Sequence, residues 1–101
     1  MELKAGTRLR STTDETEVIV VKTGGDDVDL RCGGHAMVPL DAEGPKEGIE
    51  AGFDEGTQLG KRYEYEGAGL EVLCTKPGKG SLSVGDDVLL IKGAKPLPSS
   101  D

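Results

Sequence analysis

The chain has 101 residues, 35% of them hydrophobic, with no Trp, one Phe and two Tyr, which leaves room for one domain around a single aliphatic core. Nineteen acidic against twelve basic residues give a formal net charge of −7. This balance disfavours nucleic acid and anionic membrane as partners, because binding phosphate needs Lys and Arg to displace counterions. No run approaches the length of a membrane span, and the first residues lack the apolar stretch of a signal peptide. A cytoplasmic location, with Cys32 and Cys74 as reduced thiols, is the expectation.

Sixteen glycines punctuate the sequence, and nowhere do apolar residues recur at helical spacing over three turns without one. A Gly in a helix interior costs about 1 kcal/mol relative to Ala. Eight Val, eleven Leu and three Ile supply the core, and β-branched side chains suit a pleated surface. The fold class expected is all-β.

In chain order, Thr7–Ser11 is a first strand, followed by the polar turn Thr12–Glu15 and the strand Thr16–Lys22. Gly24-Gly25 offers the positive φ angles of a tight hairpin turn. Val28–Cys32 then alternates, with Val28, Leu30 and Cys32 facing the core. Gly33-Gly34 breaks it before Ala36–Val38. Residues 41–52 are acidic and Gly-rich, an exposed, mobile connector with room for a helical turn at Lys46–Ala51. Lys61–Tyr65 alternates with Tyr63 and Tyr65 on one face, and Leu70, Val72 and Cys74 share a face of the next strand. Lys76-Pro-Gly-Lys-Gly80 has turn chemistry, favouring a hairpin. Val88–Ile91 is a continuous apolar run, suited to a strand buried on both faces or to a sheet junction. Residues 93–101 read as a flexible tail.

The second half echoes the first. Leu3–Leu9 matches Phe53–Leu59 at an offset of 50, Glu17–Gly24 matches Glu71–Gly78 at 54, and Leu30–Gly33 matches Leu82–Gly85 at 52. The expected architecture is therefore a small barrel or sandwich of about seven or eight short strands. It would be one domain made of two similar β units, 3–40 and 53–92, related by internal duplication.

Cys32-Gly-Gly-His35 is the sharpest chemical candidate, since a Cys-x2-His spacing lets a thiolate and an imidazole reach one ion across a tight turn. Cys74 could be a third ligand and Met37 a thioether, a soft set suited to Zn or Cu. The competing reading is packing: both cysteines fall on apolar faces, and the repeat aligns Cys32 with Val84 and Cys74 with Val20. A Cys32–His35 nucleophile pair lacks a third residue to orient the base. Gly78–Ser81 lacks the spacing and following helix of a phosphate loop. The acidic pairs Asp14-Glu15, Asp26-Asp27 and Asp86-Asp87 read as solvated turns.

Gly85-Asp86-x-Val88-x-x-Ile91-x-x-x-Lys95 resembles the hairpin that carries the modified lysine in lipoyl and biotinyl domains. Leu82-x-x-Gly85-Asp86-x-Val88 is similar to the glycine-aspartate box of swapped-hairpin and cradle-loop barrels. The second resemblance implies a duplicated β architecture, whereas the DNA binding known in those families runs against the charge of −7. No functional residue is carried over from either.

The functional expectation is a non-catalytic β module that binds a protein partner or a small ligand, or that scaffolds an assembly, including a homo-oligomer. Its contacts are placed between the two units, near Cys32–Met37 and Gly78–Ser81, with Cys32, His35, Met37, Tyr63 and Tyr65 as ligand-binding residues and no cofactor. The alternative is a Zn, Cu or redox protein using Cys32, His35 and Cys74.

Overall fold

A computed structural model describes residues 3–24, 27–42 and 46–92. The acidic pair at Asp26, the glycine at position 25, Lys95 and the tail 93–101 lie outside the described residues. Ten short strands are formed: β1 (Arg8–Arg10), β2 (Glu17–Lys22), β3 (Leu30–Cys32), β4 (His35–Ala36), β5 (Val38–Pro39), β6 (Arg62–Tyr65), β7 (Leu70–Lys76), β8 (Leu82–Val84), β9 (Asp87–Val88) and β10 (Leu90–Ile91). A single 3-10 turn, Glu66–Ala68, links β6 to β7. Among the described residues, no helix is long and apolar enough to cross a membrane.

The strands form two sheets, one ordered β10-β6-β7-β2-β1-β5 and the other β4-β3-β8-β9, and every pairing is antiparallel. Neither sheet closes into a barrel; β10 and β5 are the edges of the larger one. Alternation explains the core. Leu9, Val18, Val20, Leu70, Val72 and Cys74 point inward from the larger sheet, and Leu30, Cys32 and Leu82 meet them from the smaller. Each large aliphatic side chain removed from water here contributes about 1.5–3 kcal/mol. Leu3, Val28, Met37, Tyr63 and Leu89 belong to the same cluster.

Three expectations are corrected by this topology. β2 and β3 do not form the hairpin expected after Gly24, because they lie in different sheets. For the same reason, Lys76–Gly80 is a crossover from β7 to β8 rather than a hairpin turn. Val88–Ile91 is not one doubly buried strand: β9 and β10 belong to different sheets, Leu89 between them is buried, and Val88 and Leu90 are 43% and 72% exposed. The run is thus a sheet junction. The connector carries no helical turn at residues 46–51, and it is tied down by the Glu47 N–H to Thr12 O (2.8 Å) and the Glu50 N–H to Gly33 O (2.8 Å).

The two halves pair with each other in a regular way. Shifting every strand by five reverses both strand orders onto themselves. In the β2–β7 ladder the central pair is Ile19↔Leu73, flanked by Val18↔Cys74 and Val20↔Val72. In the β3–β8 ladder the central pair is Arg31↔Ser83. The loops follow the same rule. The Gly6 N–H bonds Val20 O as the Gly60 N–H bonds Cys74 O, and the Met37 N–H bonds Leu30 O as the Leu89 N–H bonds Leu82 O. Residues 3–22 therefore correspond at an offset of 54 throughout. In hydrogen bonding Gly6 is matched by Gly60, not by Gly56 as the offset of 50 read for Leu3–Leu9 would have it, since Gly6 and Gly60 donate to the equivalent carbonyls of β2 and β7.

One seam locks the halves together near Asp14. The Thr16 N–H donates to Asp14 Oδ1 (2.8 Å), and Thr16 Oγ1 lies 3.2 Å from Thr57 Oγ1, which accepts from the Gly78 N–H (3.0 Å). A Cβ at Gly80 would fall on Asp14 Oδ2 and stand 2.9 Å from Gly33 N and 3.0 Å from Cys32 Sγ. Gly80→Ala is therefore expected to lower the stability by about 1–3 kcal/mol, read as a lower urea midpoint. Gly48→Ala, whose Cβ meets nothing within 4 Å, should stay within about 0.5 kcal/mol. Equal midpoints for the two variants would show that the crossover can relax.

Candidate functional site

The structure places the residues singled out in the sequence in three different settings. Cys32 ends β3 and is fully buried, its Sγ 3.9 Å from Asp14 Oδ2. Burial first, and the Asp14 charge second, push its thiol up to about 12. Cys74 is also buried, donates to Lys76 O (3.3 Å), and has its pKa raised chiefly by burial. Met37 is buried in the same core. The crossover at Gly78–Ser81 does reach Cys32–Gly33, since the Gly33 N–H bonds Ser81 O (3.0 Å), but Gly80 fills the space beside the thiol.

His35 is the register partner of Cys32 but is only partly buried. Gly33 and Gly34, both at positive φ, turn the β3–β4 hairpin, and His35 Nε2 then pairs with Glu50 Oε2 at 3.0 Å. That pair borders an open polar depression of about 390 Å³ lined by residues including Arg31, Phe53 and Asp86. Among the described residues, no three His, Cys, Asp or Glu side chains come near enough to hold one ion. Cys32, His35 and Cys74 are therefore not brought together as a ligand set. The two tyrosines divide similarly. Tyr63 is buried and its hydroxyl accepts from the Gln58 N–H (2.9 Å), while Tyr65 is half-buried and donates to Asp87 Oδ2 (3.0 Å). Tyr65 also borders an apolar depression of about 320 Å³ with Val88 and Leu90.

The arrangement that sequence reading missed is the outer face of the six-stranded sheet. Alternation that buries Leu9, Val18, Val20, Tyr63 and Val72 turns Arg8, Arg10, Glu17, Ile19, Arg62, Glu64, Glu71 and Leu73 outward. The ladders align one row across the sheet as Arg62, Leu73, Ile19 and Arg8. The backbone bonds Leu40 N–H to Arg8 O and Lys92 N–H to Arg62 O extend that row to Leu40 and Lys92. Register shifts in β2 and β7 leave Val21 and Thr75 as extra residues, each beside an outward lysine, Lys22 and Lys76. A depression of about 380 Å³ lies on this face, lined by residues including Arg8, Ile19, Leu40 and Lys76.

This face gathers Arg8, Arg10, Lys22, Arg62, Lys76 and Lys92, half of the chain's twelve cations, with only three of its nineteen acids, Glu17, Glu64 and Glu71. The rest of the chain carries six cations against sixteen acids. Cations far apart in sequence thus converge on one face. Glu71 is covered to 5% exposure, with Lys92 Nζ at 2.7 Å and Arg62 at 3.7 Å. The side chains of Arg8 and Lys76 make no hydrogen bond or ion pair with other described residues. Using the offset of 54 from residue 3 onward would have paired Arg8 with Arg62 and exposed the pattern.

No family model, no curated protein and no solved structure matches this chain.

Two outcomes follow from these settings. Both thiols should resist a maleimide reagent in the native protein at mildly alkaline pH and react on unfolding, as followed by mass; rapid native labelling of Cys32 would contradict its burial. Separately, the Lys92 hydrogen bond holds the Glu71 carboxyl below its ordinary value, against the opposing effect of burial. Its contribution is present above the ordinary carboxylate pKa of about 4.3 and is lost as pH falls through the lowered folded value. Glu71→Gln should cost about 1 kcal/mol at neutral pH, reduced by the exposure of Lys92, and should flatten the acid limb of a urea-midpoint series. Parallel limbs for both proteins would refute the assignment.

Proposed function

We propose that this protein is a non-catalytic β module, built by internal duplication of one β unit, which binds a partner protein through the outer face of its six-stranded sheet. One observation carries the reading. Ile19 and Leu73 stand half-buried at the centre of an open sheet face, with Val21 and Leu40 exposed beside them at 39% and 37%. Ile19, Val21 and Leu73 on paired strands, with Leu40 in the turn after β5, are rimmed by charged residues and have the composition of an interface centre with a polar rim. The strands fix these side chains before binding, so little ordering entropy opposes association. The settings of Cys32 and His35 support the non-catalytic part, since the thiol is sunk in the core and the imidazole is engaged with Glu50 rather than with it. The duplication is supported by the common offset of 54 across residues 3–22 and by Glu17/Glu71, Lys22/Lys76 and Arg8/Arg62 holding equivalent outward positions.

A photo-cross-linking residue placed at Val21, and separately at the exposed Glu55 as a control, tests the face in cells that express the protein. A discrete adduct with a second protein from position 21 only, lost on Ile19→Glu, is expected. Adducts of equal pattern from both positions, or none from position 21, would defeat the reading. An adduct between two copies of the chain would make the face a self-association surface and overturn a separate partner.

A further inference from the structure

We infer that the partner is recognised through an acidic segment carrying aliphatic side chains, which lies across the outer face of the six-stranded sheet; this rests on the binding face proposed above. The argument is one of charge complementarity. A protein of formal charge −7 repels acidic chains in general. Yet this face concentrates three of the four arginines, Arg8, Arg10 and Arg62, with Lys22, Lys76 and Lys92. Glu71 is neutralised within the face by Lys92 and Arg62. Six cations less three acids leave the face a formal charge of +3, with Arg8, Arg10, Lys22 and Lys76 outnumbering Glu17, which stands opposite Lys76, and Glu64.

These cations differ in how they are held. The Arg10 guanidinium is fixed by donating to Ala42 O and to Ser11 O (3.3 Å). Arg8 and Lys76 line the depression beside Ile19 and Leu40 and have no partner among the described residues. They are positioned to meet carboxylates that flank an aliphatic side chain seated over Ile19. Arginine at a rim gives a carboxylate two parallel donors, which fixes register as well as adding affinity.

Two other anionic classes fit less well. A nucleic acid would bring a continuous line of phosphates past Glu17 and Glu64 on the face and past sixteen acids elsewhere on the chain. An anionic membrane would need apolar side chains that project together as a wedge, whereas Ile19 and Leu73 are half-buried and the exposed Leu90 stands apart on the edge strand β10 opposite Glu64. A protein segment alone offers spaced carboxylates and aliphatic side chains together.

The test uses fluorescence anisotropy with a short labelled peptide alternating Glu and Leu, a Lys/Leu peptide, a single-stranded oligonucleotide and phosphatidylserine vesicles as probes. The Glu/Leu peptide should bind most tightly, and its affinity should fall as salt rises past about 0.1 M, where charges more than roughly 10 Å apart are screened. Arg8→Glu with Lys76→Glu should weaken it by about tenfold or more. Lys46→Glu with Lys79→Glu changes the net charge equally but lies outside the sheet, and should leave it within about twofold. Equal losses in both double variants would reduce the effect to net charge and overturn the inference. Tighter binding of the oligonucleotide or the vesicles would assign the face to that class instead and overturn it as well. If no probe binds while position 21 still gives its adduct, the binding face stands and its acidic partner falls. If the adduct is also missing, both fall.

Discussion

The antiparallel pairing of β2 with β7 is the constraint on which the molecule depends. It joins the two halves at Ile19↔Leu73 and is flanked on each side by inward residues, Val18 and Val20 against Cys74 and Val72. Because side chains alternate, the same ladder fixes both surfaces of the larger sheet. A slip of one residue would put Val18 and Val20 outside and move Glu17 and Ile19 into the core. The core and the charged outer face are therefore one decision, made once in the register of two strands.

Around this ladder the two ends of the molecule solve the same geometric problem with different chemistry. Gly24 and Gly78 occupy equivalent positions after β2 and β7, and each comes so close to the opposite half that a side chain has no room. At one end the neighbour is backbone, where the Gly24 N–H bonds Ala68 O (3.2 Å). At the other, the side chains of Asp14 and Thr16 occupy the space beside Gly78, whose N–H donates to Thr57 Oγ1 of the network across the halves. The polar end also borders Cys32, which is why a carboxylate contributes to that thiol's raised pKa. The buried cysteine is thus explained by packing and by this seam, with no chemistry required of it.

What could be read from sequence follows the reach of each signal. Alternation is local, and it located β2, β3 and β7 along with the inward placement of Val28, Leu30, Cys32, Leu70, Val72 and Cys74. Turn chemistry is local too, but it does not say where the chain goes next. Gly-Gly and Pro-Gly serve a hairpin and a crossover equally well, so Gly24 and Gly78 were misread as hairpin turns. The pairing of β2 with β7 follows an offset of 54 between the halves, the spacing at which Glu17–Gly24 echoes Glu71–Gly78 in the sequence. The outer face was invisible for a different reason. Its cations run from Arg8 to Lys92 and never sit together in sequence; only the sheet order brings them into one row. Cys32 and His35, three apart in sequence, are register partners across the β3–β4 turn, yet the thiol is buried in the core while the imidazole reaches Glu50.

The span of the β2–β7 ladder also bears on how the chain reaches this structure. Its central partners, Ile19 and Leu73, are fifty-four positions apart, so the ladder cannot begin until a long loop has closed, and folds dominated by such pairings form in roughly milliseconds to seconds. On a ribosome adding roughly 5–20 residues per second, β2 waits several seconds for β7. During that interval Val18-Ile19-Val20-Val21 is an unpaired β-branched edge, the kind of segment that recruits other chains. Glu17 and Lys22 bracket it with opposite charges, where residues that guard an aggregation-prone strand are placed. In the finished protein the same two side chains turn outward on the charged face, so they first shield the strand and later form part of its surface.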